Sequence, residues 1–114
     1  MDLAVMIYEV TRKFPREEIY ALTSQLRRAA ISSPSNIAEG AAGRTSKQFY
    51  NYLSNSIGSL NEIDTQLELS LRLGYLPKKA YDRVYKLMDE YIALTYGLRK
   101  SLRGKTKEHV SINH

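Results

Sequence analysis

The side chains with most chemistry to offer are basic. Arg27 and Arg28 stand together in Ser24-Gln-Leu-Arg-Arg-Ala-Ala30, and Arg44 directly follows a glycine. Between Arg99 and Lys107, five cations (Arg99, Lys100, Arg103, Lys105 and Lys107) occur without an intervening acid. Such a run suits a phosphate-bearing partner, and a solvated, partly disordered C-terminus is the plainer account of it. Adjacent helical residues point about 100° apart, so Arg27 and Arg28 cannot serve one surface equally. Ion pairing with Glu17, Glu18, Glu39 or a neighbouring subunit is one role for the pair; an arginine at a phosphate site is the other.

Acid–base and metal chemistry find little to work with. The two histidines, His109 and His114, fall near the C-terminus with no H-x-x-x-H spacing, and the chain has no cysteine. Glu39 would be a base only beside Arg44, and a glutamate near a helix end is more often a hydrogen-bond or salt-bridge partner. Gly40-Ala-Ala-Gly-Arg-Thr-Ser46 lacks the lysine and the preceding strand of a phosphate-binding loop. The expectation is a non-enzyme with no catalytic residue, metal or cofactor.

The elements that must position these cations are helices. Leu22, Leu26, Ala29, Ser33, Ile37 and Gly40 share one helical face and are mostly small, as for a central helix that lets another backbone approach. Pro34 lies inside that pattern, where a proline removes a donor and costs about 3 kcal/mol. Ser32, Ser33, Ser35 and Asn36 are near enough to resatisfy the disturbed backbone, which favours a kinked continuous helix ended by Gly40 and Gly43. The rival has Ser33 cap a new helix opened by Pro34, but Asn36 then stands where a capping box wants Glu or Gln.

Elsewhere, Leu3, Ile7, Val10 and Phe14 form a stripe that stops at Pro15. Pro15 suits the first turn of the next helix, with Glu17 and Glu18 at its positive end. Thr45-Ser46-Lys47-Gln48 has the form of a capping box. Phe49, Leu53, Ser56, Leu60, Ile63, Leu67 and Ser70 then run as a seam to Gly74. Pro77 opens a last helix carrying Val84, Met88, Tyr91, Thr95, Leu98 and Leu102, which Gly104 should end. The spacing thus predicts helices over 2–13, 15–42, 46–73 and 77–103 in an all-α, antiparallel up-and-down four-helix bundle (1–104), followed by a basic flexible tail (105–114). Tyr50, Ile57, Leu71, Tyr81, Tyr85 and Tyr96 are left off the seams, and tyrosine-rich stripes often mark interfaces, so a homo-oligomer is expected.

At 114 residues the chain suits one domain with a single core. Its net charge of +5 is uneven: residues 77–114 hold nine basic and four acidic side chains, against six and five in residues 1–44. No apolar run approaches the roughly 18 residues of a membrane span, and nothing resembles a signal peptide, so a cytoplasmic location is expected.

The stretches 24–30, Pro34-Ser-Asn-Ile-Ala-Glu-Gly40 and Gly43-Arg44 closely resemble the signature of the bacterial 23S rRNA-intervening sequence protein family, named for reading frames inside insertions in large-subunit ribosomal RNA genes. Lys13-Phe14-Pro15, Leu22-Thr23-Ser24-Gln25, Gly58-Ser59-Leu60, Glu62, Thr65-Gln66-Leu67 and Leu73-Gly74-Tyr75-Leu76 extend the resemblance to roughly residues 3–102. It implies a four-helix bundle assembled as a ring, a homopentamer, with no established catalytic activity. Pro34, Asn36, Glu39 and Gly40 are its structural motif. Two departures stand out: the chain lacks the family's first-helix tryptophan, and Ala41-Ala42 replaces a single residue, turning Arg44 by about 100° if absorbed in helix. The expected function is noncatalytic binding of structured RNA or DNA through Arg27, Arg28, Arg44 and the C-terminal cations. The alternative is an adaptor for a protein such as a reverse transcriptase, as the likeness to accessory proteins of diversity-generating retroelements implies.

Overall fold

The computed structural model describes residues 2–42 and 45–112, with side chains as far as residue 102. Helix α1 covers Asp2–Thr11, α2 Leu22–Ala41, α3 Ser46–Arg72 and α4 Lys78–Ile112, with a 3₁₀ turn at Arg16–Glu18. They pack as the expected up-and-down bundle, but α3 rather than α2 is its spine: α3 lies along both α2 and α4, whose backbones do not come together among the described residues. The much shorter α1 packs on α2 and α4. Ile7, Leu26, Leu60, Ile63, Leu67, Val84 and Met88 are buried in one cluster that joins all four helices. Each such side chain contributes roughly 1.5–3 kcal/mol of burial. Leu53 and Ile57 are buried further along α3. Ile57 is therefore core, not the leftover surface residue its place off the heptad seam suggested.

Local chemistry sets the ends of α3. Thr45 Oγ1 accepts from the Gln48 backbone N–H at 3.2 Å while Gln48 Oε1 accepts from the Thr45 N–H at 3.1 Å, a complete capping box. At the other end Tyr75 N–H donates to the Ser70 carbonyl (3.0 Å) and Gly74 N–H to that of Leu71 (3.1 Å). This paired closure needs a left-handed residue, and Gly74 takes it at φ +80°.

Two helix boundaries and the role of one glycine differ from the sequence expectation. The helix expected to open at Pro15 opens at Leu22 instead. After Pro15 the chain makes only i→i+3 bonds, Glu18 to Pro15 and Ile19 to Arg16, and Ala21 (φ −125°, ψ −103°) interrupts any continuous helix. Tertiary packing accounts for the detour: Phe14 turns inward against Tyr75, with ring centroids 5.8 Å apart, so the chain must bend after it. Glu18 still serves the helix start, its carboxylate accepting from Leu22 N–H at 3.4 Å. Second, α2 does not stop at Gly40, which lies within the helix; a Cβ there would fall 2.8 Å from both Phe49 Cδ1 and Tyr52 Cβ. Glycine serves close approach of α3, while Gly43 lies outside the described residues. Third, α4 continues past Gly104 to Ile112. An interior glycine costs a helix only about 1 kcal/mol relative to alanine, and no proline follows to force a stop.

Candidate nucleic-acid interface

The Pro34 region joins α2 to α3. Helix α2 runs through Pro34 unbroken, in line with the continuous reading. Asn36 Nδ2 donates to the Ser32 carbonyl at 2.9 Å and lies 3.1 Å from Ser32 Oγ. Ser33, Ser56 and Ser59 link the two helices through hydroxyl contacts of 2.7–3.1 Å. Pro34 and Asn36 are half-buried, and Asn36 bonds back to Ser32 within α2. Glu39 is exposed near the end of α2, and its carbonyl accepts from Ala42 N–H at 3.4 Å.

Arg27 and Arg28 diverge, as the helical period requires. Arg28 is exposed. Arg27 is half-buried and reaches α1: its Nε donates to Thr11 Oγ1 at 2.9 Å, and its Cζ lies 4.7 Å from the centre of the Tyr8 ring. The predicted carboxylate partners Glu17, Glu18 and Glu39 do not make these contacts. Sequence reasoning missed Tyr8 and Thr11, since a hydroxyl and a ring on another helix leave no local charge pattern.

Arg99 lies toward the far part of α4. Its guanidinium lies 5.0 Å from the centre of the Tyr96 ring and 5.6 Å from that of Tyr50 on α3, and Nη1 donates to Ser54 Oγ at 3.3 Å. None of these three partners is a carboxylate, so the charge is positioned without being neutralised by them. Helical spacing explains the assembly: Tyr96, Arg99 and Lys100 fall at i, i+3 and i+4 on α4, as Tyr50 and Ser54 do at i and i+4 on α3. Tyr50, Tyr96, Gly97, Arg99 and Lys100 line a cleft of about 280 Å³. Arg103, Lys105 and Lys107 continue α4, but their side chains lie outside the described residues, as Arg44 does entirely. Tyr50 and Tyr96, set aside in the sequence as interface tyrosines, are half-buried and exposed parts of the arginine's seat. The signal was present in the 96/99/100 spacing, whereas Ser54 had none.

Two further observations bear on partners. Among the described residues no helix is long and apolar enough to cross a membrane. Ile19, Ile31, Leu69, Leu73 and Leu94 are each 43–59% exposed, an apolar surplus on the outside of the bundle.

Comparison with known proteins bears on the family and, separately, on the fold. A family model described as 23S rRNA-intervening sequence protein matches residues 1–97. The crystal structure of a protein of unknown function from the S23 ribosomal protein family of Bacteroides thetaiotaomicron superposes with a TM-score of 0.77 at 24% identity, covering 87% of this chain and 93% of that one. At that identity the likeness concerns the fold. No curated protein matches the chain.

Proposed function

The chain belongs to the 23S rRNA-intervening sequence protein family, and from that membership we propose that it is a noncatalytic homo-oligomer, a pentamer, that binds RNA or DNA through basic surface on α4. The observation that carries this reading is Arg99: two aromatic rings and a hydroxyl hold its guanidinium beside Lys100 without a carboxylate among them. Phosphate oxygens pair with such a cation, and an exposed tyrosine ring such as Tyr96 offers a face for a base. The exposed apolar residues support self-association, and a ring repeats one modest site several times, raising avidity without a strong individual contact.

Two measurements test the reading. Light scattering at micromolar concentration should give a multiple of the 13.1 kDa chain mass; a monomer would remove the ring and the avidity argument together. Fluorescence anisotropy with labelled oligonucleotides should show affinity falling with salt, at a log–log slope of about −0.7 per phosphate neutralised on a single strand. Replacing Arg99, Lys100, Arg103, Lys105 and Lys107 with glutamine should weaken binding and flatten that slope while the oligomer stays intact. Full-strength binding with an unchanged slope would show that α4 is not the interface. No binding even at low salt would instead favour a protein partner.

A further inference from the structure

A second cationic site lies at the junction of α1 and α2, on elements separate from the Arg99 cleft. Thr11, Arg12, Phe14, Pro15, Arg16, Ile19, Thr23 and Arg27 line an open cavity of about 230 Å³. Three of these eight residues are arginines, and none is acidic. They come from three places: Arg12 just after α1, Arg16 in the 3₁₀ turn and Arg27 in the second turn of α2. The late start of α2 brings them together, since the bend after Phe14 carries Arg16 round to the face that Arg27 occupies.

Arg27 is already fixed for binding. Its Nε–H is used on Thr11 Oγ1 and its guanidinium lies over the Tyr8 ring, so one of five donors is committed. The two terminal nitrogens, with four N–H groups, are the edge that grips an oxyanion in bidentate fashion. Thr11, 2% exposed, is held in turn, since its hydroxyl donates to the Ile7 carbonyl at 2.7 Å. Arg12 and Arg16 are exposed and bring two more cations to the rim. Thr23 supplies an independent sign. It is only 4% exposed, stands in the cavity wall, and its Oγ1 finds no hydrogen-bond partner among the described residues. A buried hydroxyl of this kind is normally satisfied, so the wall of the cavity holds a hydroxyl with no described partner.

We propose that the Arg12–Arg16–Arg27 cavity is a phosphate-binding site that clamps α1 and the following turn onto α2. Its ligand is a phosphate group, either free or small-molecule phosphate or the terminal phosphate of a nucleic acid, because a cavity of this size takes one such group and the planar arginine edge matches its oxygens. The site is independent of binding at Arg99, and its test reads it alone.

The test is calorimetric titration of the full chain with pyrophosphate at constant ionic strength, alongside melting in phosphate against chloride. The unmodified protein should release or absorb heat on saturable binding and melt higher in phosphate. Arg12→Gln with Arg16→Gln changes only exposed side chains and should weaken pyrophosphate at least about tenfold, since hydrogen bonds to charged groups are the stronger class. Arg27→Lys keeps the charge but loses the planar edge, and should weaken it similarly. Oligonucleotides with and without a 5′-phosphate separate the two sources: a preference for the phosphorylated end that the double variant abolishes assigns the site to nucleic-acid ends, and its absence beside retained pyrophosphate binding assigns it to small phosphates. The proposal is overturned if pyrophosphate does not bind the unmodified protein, or if it binds the Arg12→Gln/Arg16→Gln protein equally well. Loss of oligonucleotide binding in the α4 glutamine variant with pyrophosphate binding intact leaves this site standing.

Discussion

Ser33 and Ser56 exchange hydrogen bonds across the α2–α3 interface: Ser56 donates to the Ser33 carbonyl at 3.0 Å, which leaves Ser33 to donate to Ser56 Oγ at 2.7 Å. Both side chains are buried, at 1% and 0% exposure. Removing the Ser56 hydroxyl strands that of Ser33 in a dry interface, and removing that of Ser33 takes one of the two bonds that Ser56 makes. Ser33→Ala or Ser56→Ala should each cost about 1–3 kcal/mol, and the double variant less than the sum of the two. Urea unfolding of all four proteins checks this; strict additivity would mean that the two hydroxyls do not depend on each other.

Glycine-to-alanine changes at two helical positions should act in opposite directions. At Gly40 the new methyl meets Tyr52 Cβ and Phe49 Cδ1 at 2.8 Å, and Tyr52 Cβ is tied to the α3 backbone, while at Gly58 it meets nothing within 4 Å. Gly40→Ala should destabilise by about 1–3 kcal/mol through overpacking. Gly58→Ala should stabilise by about 0.5–1 kcal/mol through helix propensity and lost unfolded-state freedom. Midpoints that move the same way for both would contradict the packing described around Gly40.

Asn36 is expected to matter for folding and not for ligands. Asn36→Ala removes the amide that bonds the Ser32 carbonyl one turn before it, and should lower stability by about 1 kcal/mol. Oligonucleotide affinity should stay unchanged. Unaltered melting with lost binding would reverse that assignment.

Alkaline pH should loosen the bundle through two phenols. Both Tyr75 and Tyr81 are held above their ordinary value of 10.0: Tyr75 by burial and then by the Glu18 carboxylate, Tyr81 by burial and then by Asp64. The folded protein therefore keeps these protons to higher pH than the unfolded chain does. Their contribution is fully present below pH 10.0 and is lost as pH rises through the folded values. Unfolding midpoints should hold up to about pH 10 and fall above it, and fall less in the Tyr75→Phe/Tyr81→Phe protein, which keeps both rings. Parallel falls in the two proteins would exclude these phenols as the source.

What the sequence disclosed follows a physical division. The Thr45 capping box, the Gly74 stop and the passage of α2 through Pro34 depend on residues within a turn or two of each other, and all were legible. The delayed start of α2 depends on Phe14 meeting Tyr75, and the burial of Ile57 on what packs against α3. The Arg27 contact depends on where α1 crosses α2. These are distances between helices, and a list of residues does not encode them until loop geometry and core packing fix the register. The Arg99 seat is intermediate: its α4 half shows in the 96/99/100 spacing, while Tyr50 and Ser54 join it only through the register of α3 against α4.

Helix α1 has ten residues and α3 has twenty-seven, so α1 spans about 15 Å of a bundle whose spine runs about 40 Å. The continuous apolar cluster accordingly lies where α1 reaches, and the far part of the bundle is three helices, with Leu53 and Ile57 buried on α3 and serine hydroxyls joining α2 to α3. Amide protons there should exchange with solvent through local opening, at lower free energy than those around Leu26, Leu60 and Ile63, which require global unfolding. The Arg99 cleft belongs to that exchange-prone end. A ligand seated across Tyr50 and Tyr96 would bridge α3 to α4 there and slow exchange at both, giving occupancy a signature in backbone protection many residues away from any contact it makes.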